Sequence, residues 1–256
     1  MSTYVYGITA RTHQALPEGM TGVGEPPRPV RVLTVGELAA VVSDAPEDLR
    51  AKRRDLLAHQ NVLAEVGAAG CVLPMRFGNV ASDDDAVAHV LDERADHYLE
   101  RLKALDGKIE YNVKANHAEE AVLHLVMAEN PDLRSLAEAN RRAGGGSYDD
   151  KLRLGELVAS AVKAKEAEDA ASVQAVLEPV AAAVSAGPQS TGWLLNVSFL
   201  VARDAATDFL AAADRVRADR PHLELRVNGP LPPYSFVEPG PAQPAAEPAG
   251  TDSEAH

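Results

Sequence analysis

The 256-residue chain contains one cysteine, Cys71. An intramolecular disulfide and a thiolate metal cluster are therefore excluded. Cys71 lies in the apolar run Cys71-Val72-Leu73. That setting suits a small buried hydrophobe, and no base nearby in sequence would make it a nucleophile. Aromatic residues are only 4% of the chain, and Ile8 and Ile109 are its only isoleucines. The core must be built mainly from Val, Leu and Ala. Cations are also scarce: 25 Lys and Arg against 38 Asp and Glu leave a net charge of −13. A phosphate backbone needs clustered Lys and Arg, so no nucleic-acid partner is expected. The one basic run, Lys52-Arg53-Arg54, sits among acids and reads as a solvated helix face. No apolar stretch approaches the ~18 residues that cross a bilayer. Met1-Ser2-Thr3-Tyr4-Val5-Tyr6 reads as the start of a strand and not as a secretion signal. A cytoplasmic protein without a membrane partner is the expectation.

Apolar residues are 46% and charged residues 25% of the chain, as in ordinary globular proteins. Thr3 to Thr9 is rich in Tyr, Val and Ile and predicts a first strand. Prolines at 26, 27 and 29 forbid a helix in the following loop. Val30–Val35 and Leu38–Ser43 predict a hairpin around Gly36-Glu37. Leu49, Leu56, Leu57, Leu63 and Val66 recur at helical spacing, predicting a helix from about Glu47 to Ala69. Cys71 to Val80 is a strand candidate interrupted by Pro74. Ser82-Asp83-Asp84-Asp85 caps a further helix with the stripe Val87, Leu91, Ala95, Tyr98, Leu102 and Leu105.

Asp106-Gly107 ends that helix, and a second unit begins at Lys108. Ile109, Tyr111 and Val113 alternate with polar residues, as in a half-buried strand. Helices are expected over 119–129 and 132–142, then a flexible Gly144-Gly145-Gly146-Ser147 break. A long Ala-rich helix from Lys151 to about Ala186 should be interrupted at Pro179. Its middle, Lys163 to Asp169, is polar nearly all round and is expected to project into solvent or meet a charged surface. Trp193–Val201 is too continuously apolar for a strand with one wet face and should lie centrally in its sheet. A helix over 205–218 and a strand over 223–227 complete the order. The fold class expected is α+β, in two domains over 1–106 and 107–237, each a small sheet packed by helices. The second domain carries the long helical insertion. A Pro-, Ala- and acid-rich tail over 238–256 is expected to be disordered.

The search for chemistry finds no constellation. His117 and His124 are seven residues apart and His89 and His97 eight. Helical zinc ligands are usually one turn apart with further ligands nearby, so no metal is expected. Asp83-Asp84-Asp85 lacks calcium-loop spacing and reads as helix capping. Gly144-Gly145-Gly146-Ser147 lacks the Lys-Ser or Lys-Thr ending of a phosphate loop, and Gly22-Val23-Gly24 lacks a βα turn. No catalytic residue, cofactor or metal ligand is assigned. An acyl-phosphate hydrolase would need an Arg and an Asn converging on an anion hole, and no basic glycine loop supplies them. Pro74-Met75-Arg76-Phe77-Gly78 is more suggestive. Its guanidinium, between two large apolar residues, suits either a buried partner within the fold or an interface anchor.

The end of the folded sequence, Val227-Asn228-Gly229-Pro230-Leu231-Pro232-Pro233-Tyr234-Ser235-Phe236-Val237, joins a strand to an Asn-Gly turn, three prolines and two aromatics. A disordered tail has no need of such a motif, so something must pack on it or bind it. Together with Tyr4-Val5-Tyr6-Gly7-Ile8, with His59, Val62 and Leu73-Pro74-Met75-Arg76-Phe77-Gly78, with Leu105-Asp106-Gly107-Lys108-Ile109-Glu110-Tyr111-Asn112-Val113-Lys114, and with Trp193–Val201, it resembles the gas vesicle GvpL/GvpF family. The segments follow the family's order from residue 4 to 236. Leu231 stands where that family commonly has Trp, and the segment Gly146–Lys151 contains no Arg where the family often has one.

The resemblance implies two α+β domains, the C-terminal one ferredoxin-like, and a non-enzymatic role in making gas vesicles. It implies binding to the small hydrophobic shell protein and to other gas vesicle accessory proteins, or alternatively a minor place in the vesicle wall. Residues near Tyr4, Tyr6, Arg76 and Phe77 are expected to form or support the protein-binding surface.

Overall fold

The computed structural model describes residues 1–188 and 192–238. The first unit is an antiparallel sheet between two helical layers. Strand β1 (Thr3–Ala10) lies beside β3 (Leu38–Asp44), which pairs outward with β2 (Arg31–Val35). The β2–β3 hairpin closes where expected, with Val35 opposite Leu38 and Gly36 at φ 56°. That positive φ suits glycine at a two-residue turn. The other side of β1 holds two short strands, β4 (Leu73–Pro74) and β5 (Val80–Ala81). The single strand expected over 71–80 is thus two fragments around a turn at Met75–Asn79, where Pro74 and the positive φ of Gly78 break regular pairing.

Alternation along β1, shifted by an irregularity between Val5 and Gly7, sends its side chains to two cores. Tyr4 and Tyr6 join Val41, Val23 and the α1 (Arg53–Ala69) residues Val62, Leu63 and Val66. Val5 and Ile8 join Leu38, Ala40 and Val42 on the opposite face. There they meet Val87 and Leu91 of α2 (Asp84–Glu93) and Tyr98, Leu102 and Leu105 of α3 (Ala95–Leu105). The stripe read across 87–105 is buried as expected, on two helices bent at Arg94. Helix α1 begins at Arg53, not Glu47, because Lys52 is extended at its N-terminus. Leu49 still reaches the α1 core, but from the preceding loop.

The second unit has the order β6 (Lys108–His117), α4 (Glu119–Glu129), α5 (Pro131–Arg142), α6 (Tyr148–Leu177), β7 (Ala183–Ala186), β8 (Leu195–Ala202), α7 (Ala206–Asp219) and β9 (Leu223–Leu231). Its sheet runs β7-β8-β6-β9, all antiparallel. This is the ferredoxin-like arrangement, a split βαβ pair with helices on one face and an α-helical insertion in the first crossover. Strand β8 is central, as its continuous apolar run requires. Phe199, Val201, Val197 and Leu195 enter the core with α7 and the end of α6. Leu200, pointing the other way, joins the core of the first unit.

At the Gly144–Gly146 break the chain turns, with the Gly145 N–H donating to Asn140 O at 2.8 Å and Ser147 with Asp150 forming a reciprocal N-cap. One expectation for the crossover is corrected. The helix then stops at Leu177, Pro179 lies in a short 3₁₀ turn, and Ala183–Ala186 is strand, not helix. Ala-rich composition favours helix, but pairing with Val197–Leu200 of β8 overrides it.

Helix α6 does not project freely either. Its first half packs Leu154, Val158 and Val162 against Val122, Val126 and Leu133 of α4 and α5. Its last turns place Val173 and Leu177 on the sheet. At 30 residues it is about 45 Å long, so it ties the insertion to the sheet. Among the described residues, no helix is long and apolar enough to cross a membrane. The tail expected over 238–256 lies outside the described residues except for Glu238.

Candidate functional site

The aromatic residues of the opening strand are where sequence reasoning looked for a binding surface, and they are fully buried. Tyr4 and Tyr6 have 0% exposure. Their rings meet edge-on at 4.8 Å, and His59 of α1 stacks on Tyr6 at 5.6 Å. The hydrogen bonds fix the protonation pattern. His59 Nε2 lies 3.1 Å from Met75 O, which only accepts, so Nε2 carries the proton. Nδ1 is then the acceptor for the Tyr4 hydroxyl at 2.9 Å. The Tyr4 oxygen in turn accepts the Gly78 N–H. Burial lowers the pKa of His59, against the smaller opposing effect of its bond to Met75, so the neutral imidazole is favoured. Burial likewise raises Tyr4 and Tyr6 above the ordinary phenol value.

Tyr6 anchors the proline-rich loop. Its hydroxyl accepts the Val23 N–H at 2.9 Å and donates to Ser43 Oγ at 3.0 Å. The buried Asp55 carboxylate receives the Gly24 N–H at 2.9 Å. Arg54 pairs with Glu25 and Asp55, so one cation of the basic run fastens this loop to α1. These buried polar groups act as fixtures between the first strand, the loop and the Met75–Asn79 turn.

That turn presents the other two residues singled out. Arg76 is exposed and Phe77 half-buried, its ring 6.0 Å from Tyr4 and 5.8 Å from His59. The reading of Arg76 as a guanidinium paired inside the fold is overturned: the side chain faces water. Tyr4, His59 and Phe77 form one contiguous cluster, with Arg76 at its rim. Cys71, expected to be buried, is half-exposed, with Sγ 3.4 Å from Leu102 O and its thiol pushed up to about 11 chiefly by burial. A thiol so held is protonated at neutral pH.

At the opposite edge of the same sheet, β2 pairs only with β3 among the described residues. Leu33 and Val35 pack beneath it toward α2. Val32 lies across from the buried Val41, yet is 47% exposed because α1 does not extend over the edge. Arg31, at the start of β2, is held by Asp84 at 2.9 Å and Asp44 at 3.4 Å.

The closing motif joins the two units. Strand β9 runs through Asn228-Gly229 to Leu231, with an irregularity where Tyr111 faces the extra residues. The expected turn is therefore a bulge inside a strand. A Cβ on Gly229 would lie 2.4 Å from Tyr111 Cδ1, and its φ is +155°, so glycine lets the strand close on that ring. Beyond Pro233, Phe236 enters the core of the first unit and Tyr234 packs against the Tyr4–Tyr6 core. Arg101 of α3 donates to Phe236 O at 2.7 Å and Val237 O at 3.1 Å. A cleft of about 470 Å³ between the units is bordered by Gly67, Cys71, Lys108, Arg203 and Pro230–Pro233.

Sequence reasoning missed one buried polar group altogether. His117, Asp169 and His222 meet where β6, α6 and the start of β9 converge. His124, the histidine seven residues from His117 in sequence, is exposed on α4. Asp169 ends the polar stretch expected to project into solvent or meet a charged surface; it is 4% exposed and meets the two imidazoles. The residues are 52 and 53 positions apart, so no local spacing could have found them.

Comparison with known proteins supplies the family. The model of the gas vesicle synthesis protein GvpL/GvpF family matches residues 2–238. Gas vesicle protein F of Streptomyces sp. (strain CB03234) is 65% identical over 238 residues, covering 93% of this chain and 100% of that protein. Gas vesicle protein L of the same strain is 30% identical, covering 91% of this chain and 92% of that protein. The crystal structure of GvpF from Anabaena sp. PCC7120 has the same fold, with a TM-score of 0.75 at 24% identity over 93% of this chain and 98% of that one. GvpF from Microcystis aeruginosa gives a TM-score of 0.71 at 22% identity, covering 93% and 99%. The segments from Tyr4 to Phe236 that first suggested the resemblance all fall within the matched range, and the chain belongs to the gas vesicle GvpL/GvpF family.

Proposed function

We propose that this protein is a non-enzymatic, cytoplasmic assembly factor that binds the hydrophobic gas vesicle shell protein and limits its aggregation before it enters the vesicle. The observation that carries the reading is the open β2 edge, with Val32 47% exposed on a face that α1 leaves uncovered. A client that assembles through apolar β-surfaces is an aggregation hazard on its own. An open strand can pair with such a client through its backbone, while neighbouring side chains select it. A carrier with a net charge of −13 keeps the complex dispersed by repulsion. Tyr4 and Tyr6 support the surface from within the sheet, and Arg76 and Phe77 offer further contact on the Met75–Asn79 turn. Other gas vesicle accessory proteins are the second class of partner.

The test is co-expression of the full chain with the shell protein, followed by measurement of soluble, co-purifying shell protein. Val32→Lys combined with Thr34→Lys puts two charges on the edge without disturbing the core and is expected to abolish retention. Arg76→Glu is expected to weaken it. Unchanged retention in both variants would sink the carrier reading. Persistence of the protein on purified vesicles through denaturant washing would replace it with a role in the wall.

A further inference from the structure

The His117–Asp169–His222 cluster calls for a different explanation from the aromatic network. His117 Nε2 and His222 Nε2 lie 2.9 and 2.8 Å from the same oxygen, Asp169 Oδ2. The three ligand atoms fall within 4.8 Å of one another. The side chains of His117 and Asp169 are each 5% exposed and that of His222 14%. Lys165, one turn away on α6, is engaged by Glu129 and Glu168.

The donor set is two imidazoles and one carboxylate, the chemistry of a zinc-class transition-metal site with an open position. At metal–ligand distances near 2.0–2.1 Å, tetrahedral ligand atoms stand about 3.3 Å apart. The two imidazole–carboxylate contacts therefore need to open by only about half an ångström. Both Nε2 atoms must give up a proton to bind an ion. His117 Nδ1 is buried and has no hydrogen-bond partner among the described residues. It can take the proton of its own ring without breaking an existing bond, and the proton of His222 moves to its own Nδ1 or is released to solvent as the ion binds.

We propose that His117, Asp169 and His222 form a binding site for one divalent transition-metal ion of the zinc class. The ion links the end of β6, the C-terminal third of α6 and the residue before β9. It thereby fixes the helical insertion on the ferredoxin-like sheet. Such a link closes two loops of more than fifty residues and stabilises the folded chain by binding it in preference to the unfolded one.

The experiment uses the full chain, purified without a polyhistidine tag and stripped with chelator. Zn²⁺ is titrated calorimetrically, and Co²⁺ is added as a spectroscopic probe. The expected result is one ion per chain, a rise in Tm with Zn²⁺, and visible Co²⁺ absorption of the intense, low-coordinate kind. His222→Gln keeps a donor toward Asp169 but removes the imidazole ligand. It and Asp169→Asn should each weaken binding at least ~100-fold, since even outer-shell changes cost 10–100-fold. His124→Ala should leave binding unchanged. Circular dichroism checks that each variant is folded. Absence of stoichiometric binding overturns the proposal. So does equal affinity in folded His222→Gln or Asp169→Asn, which would mark an adventitious surface ion.

Discussion

Ser235 donates twice to one buried carboxylate: its backbone N–H reaches Glu110 Oε2 at 2.8 Å and its hydroxyl reaches Oε1 at 2.7 Å. Glu110 is on β6 and 3% exposed. Its charge is satisfied by a residue 125 positions later in the chain. Removing one partner of a buried charged group leaves the other unsolvated. Ser235→Ala is expected to lower unfolding free energy by about 1.5–3 kcal/mol, and Glu110→Leu to cost less than that per bond lost, because no charge remains buried. Urea denaturation of both variants measures the difference. Equal stability of Ser235→Ala and the natural chain would show that the contact contributes nothing.

Phe236 carries the same link through packing. It completes a core whose other fully buried residues are those of the first unit and Leu200. Phe236→Ala is expected to cost about 3–5 kcal/mol. Near-neutral behaviour in thermal unfolding would mean that this segment does not hold the two units together.

His59 gives the protein an acid-sensitive element. Its folded pKa is depressed below 6.5, mainly by burial. The unfolded chain therefore binds a proton more readily than the native one. Its contribution is fully present above pH 6.5 and is lost as pH falls from there through the folded pKa. Stability measured between pH 7.5 and 5 should decline, and His59→Gln should flatten that decline. A profile of identical shape in the variant would refute the assignment. Asp84 and Asp169, whose pKa values are lowered from 3.8, act in a separate and more acidic window.

Tyr4→Phe removes the donor to His59 Nδ1 while keeping the ring. A buried acceptor left without its bond costs about 1–3 kcal/mol. The loss should appear in the urea midpoint with an unchanged slope. A destabilisation of less than a few tenths of a kcal/mol would show that His59 finds another donor.

Gly229→Ala is expected to cost about 1–3 kcal/mol, the range for overpacking a core. The new Cβ meets the Tyr111 ring and lies 2.9 Å from Glu110 O. Tyr111→Ala in the same chain should relieve part of the clash, so the two changes should be non-additive. Strict additivity in a double-mutant cycle would argue against this contact.

Hydropathy and turn chemistry determined much of this protein. The hairpin at Gly36-Glu37, the stripe from Val87 to Leu105, the central position of β8 and the family-bearing segments were legible because each is set by neighbours in the chain. Tertiary structure decided the rest. Ala183–Ala186 became strand because Val197–Leu200 lay beside it, although local composition favoured helix. Arg76 turned to solvent while Tyr4 and Tyr6 went inside, because β1 is covered on both faces. Asp169 is buried because His117 and His222 converge on it from 52 and 53 residues away. Sequence patterns report the period of a helix or strand. They do not report which distant groups will share its buried face, and the aromatic network and the His–Asp–His cluster both depend on that.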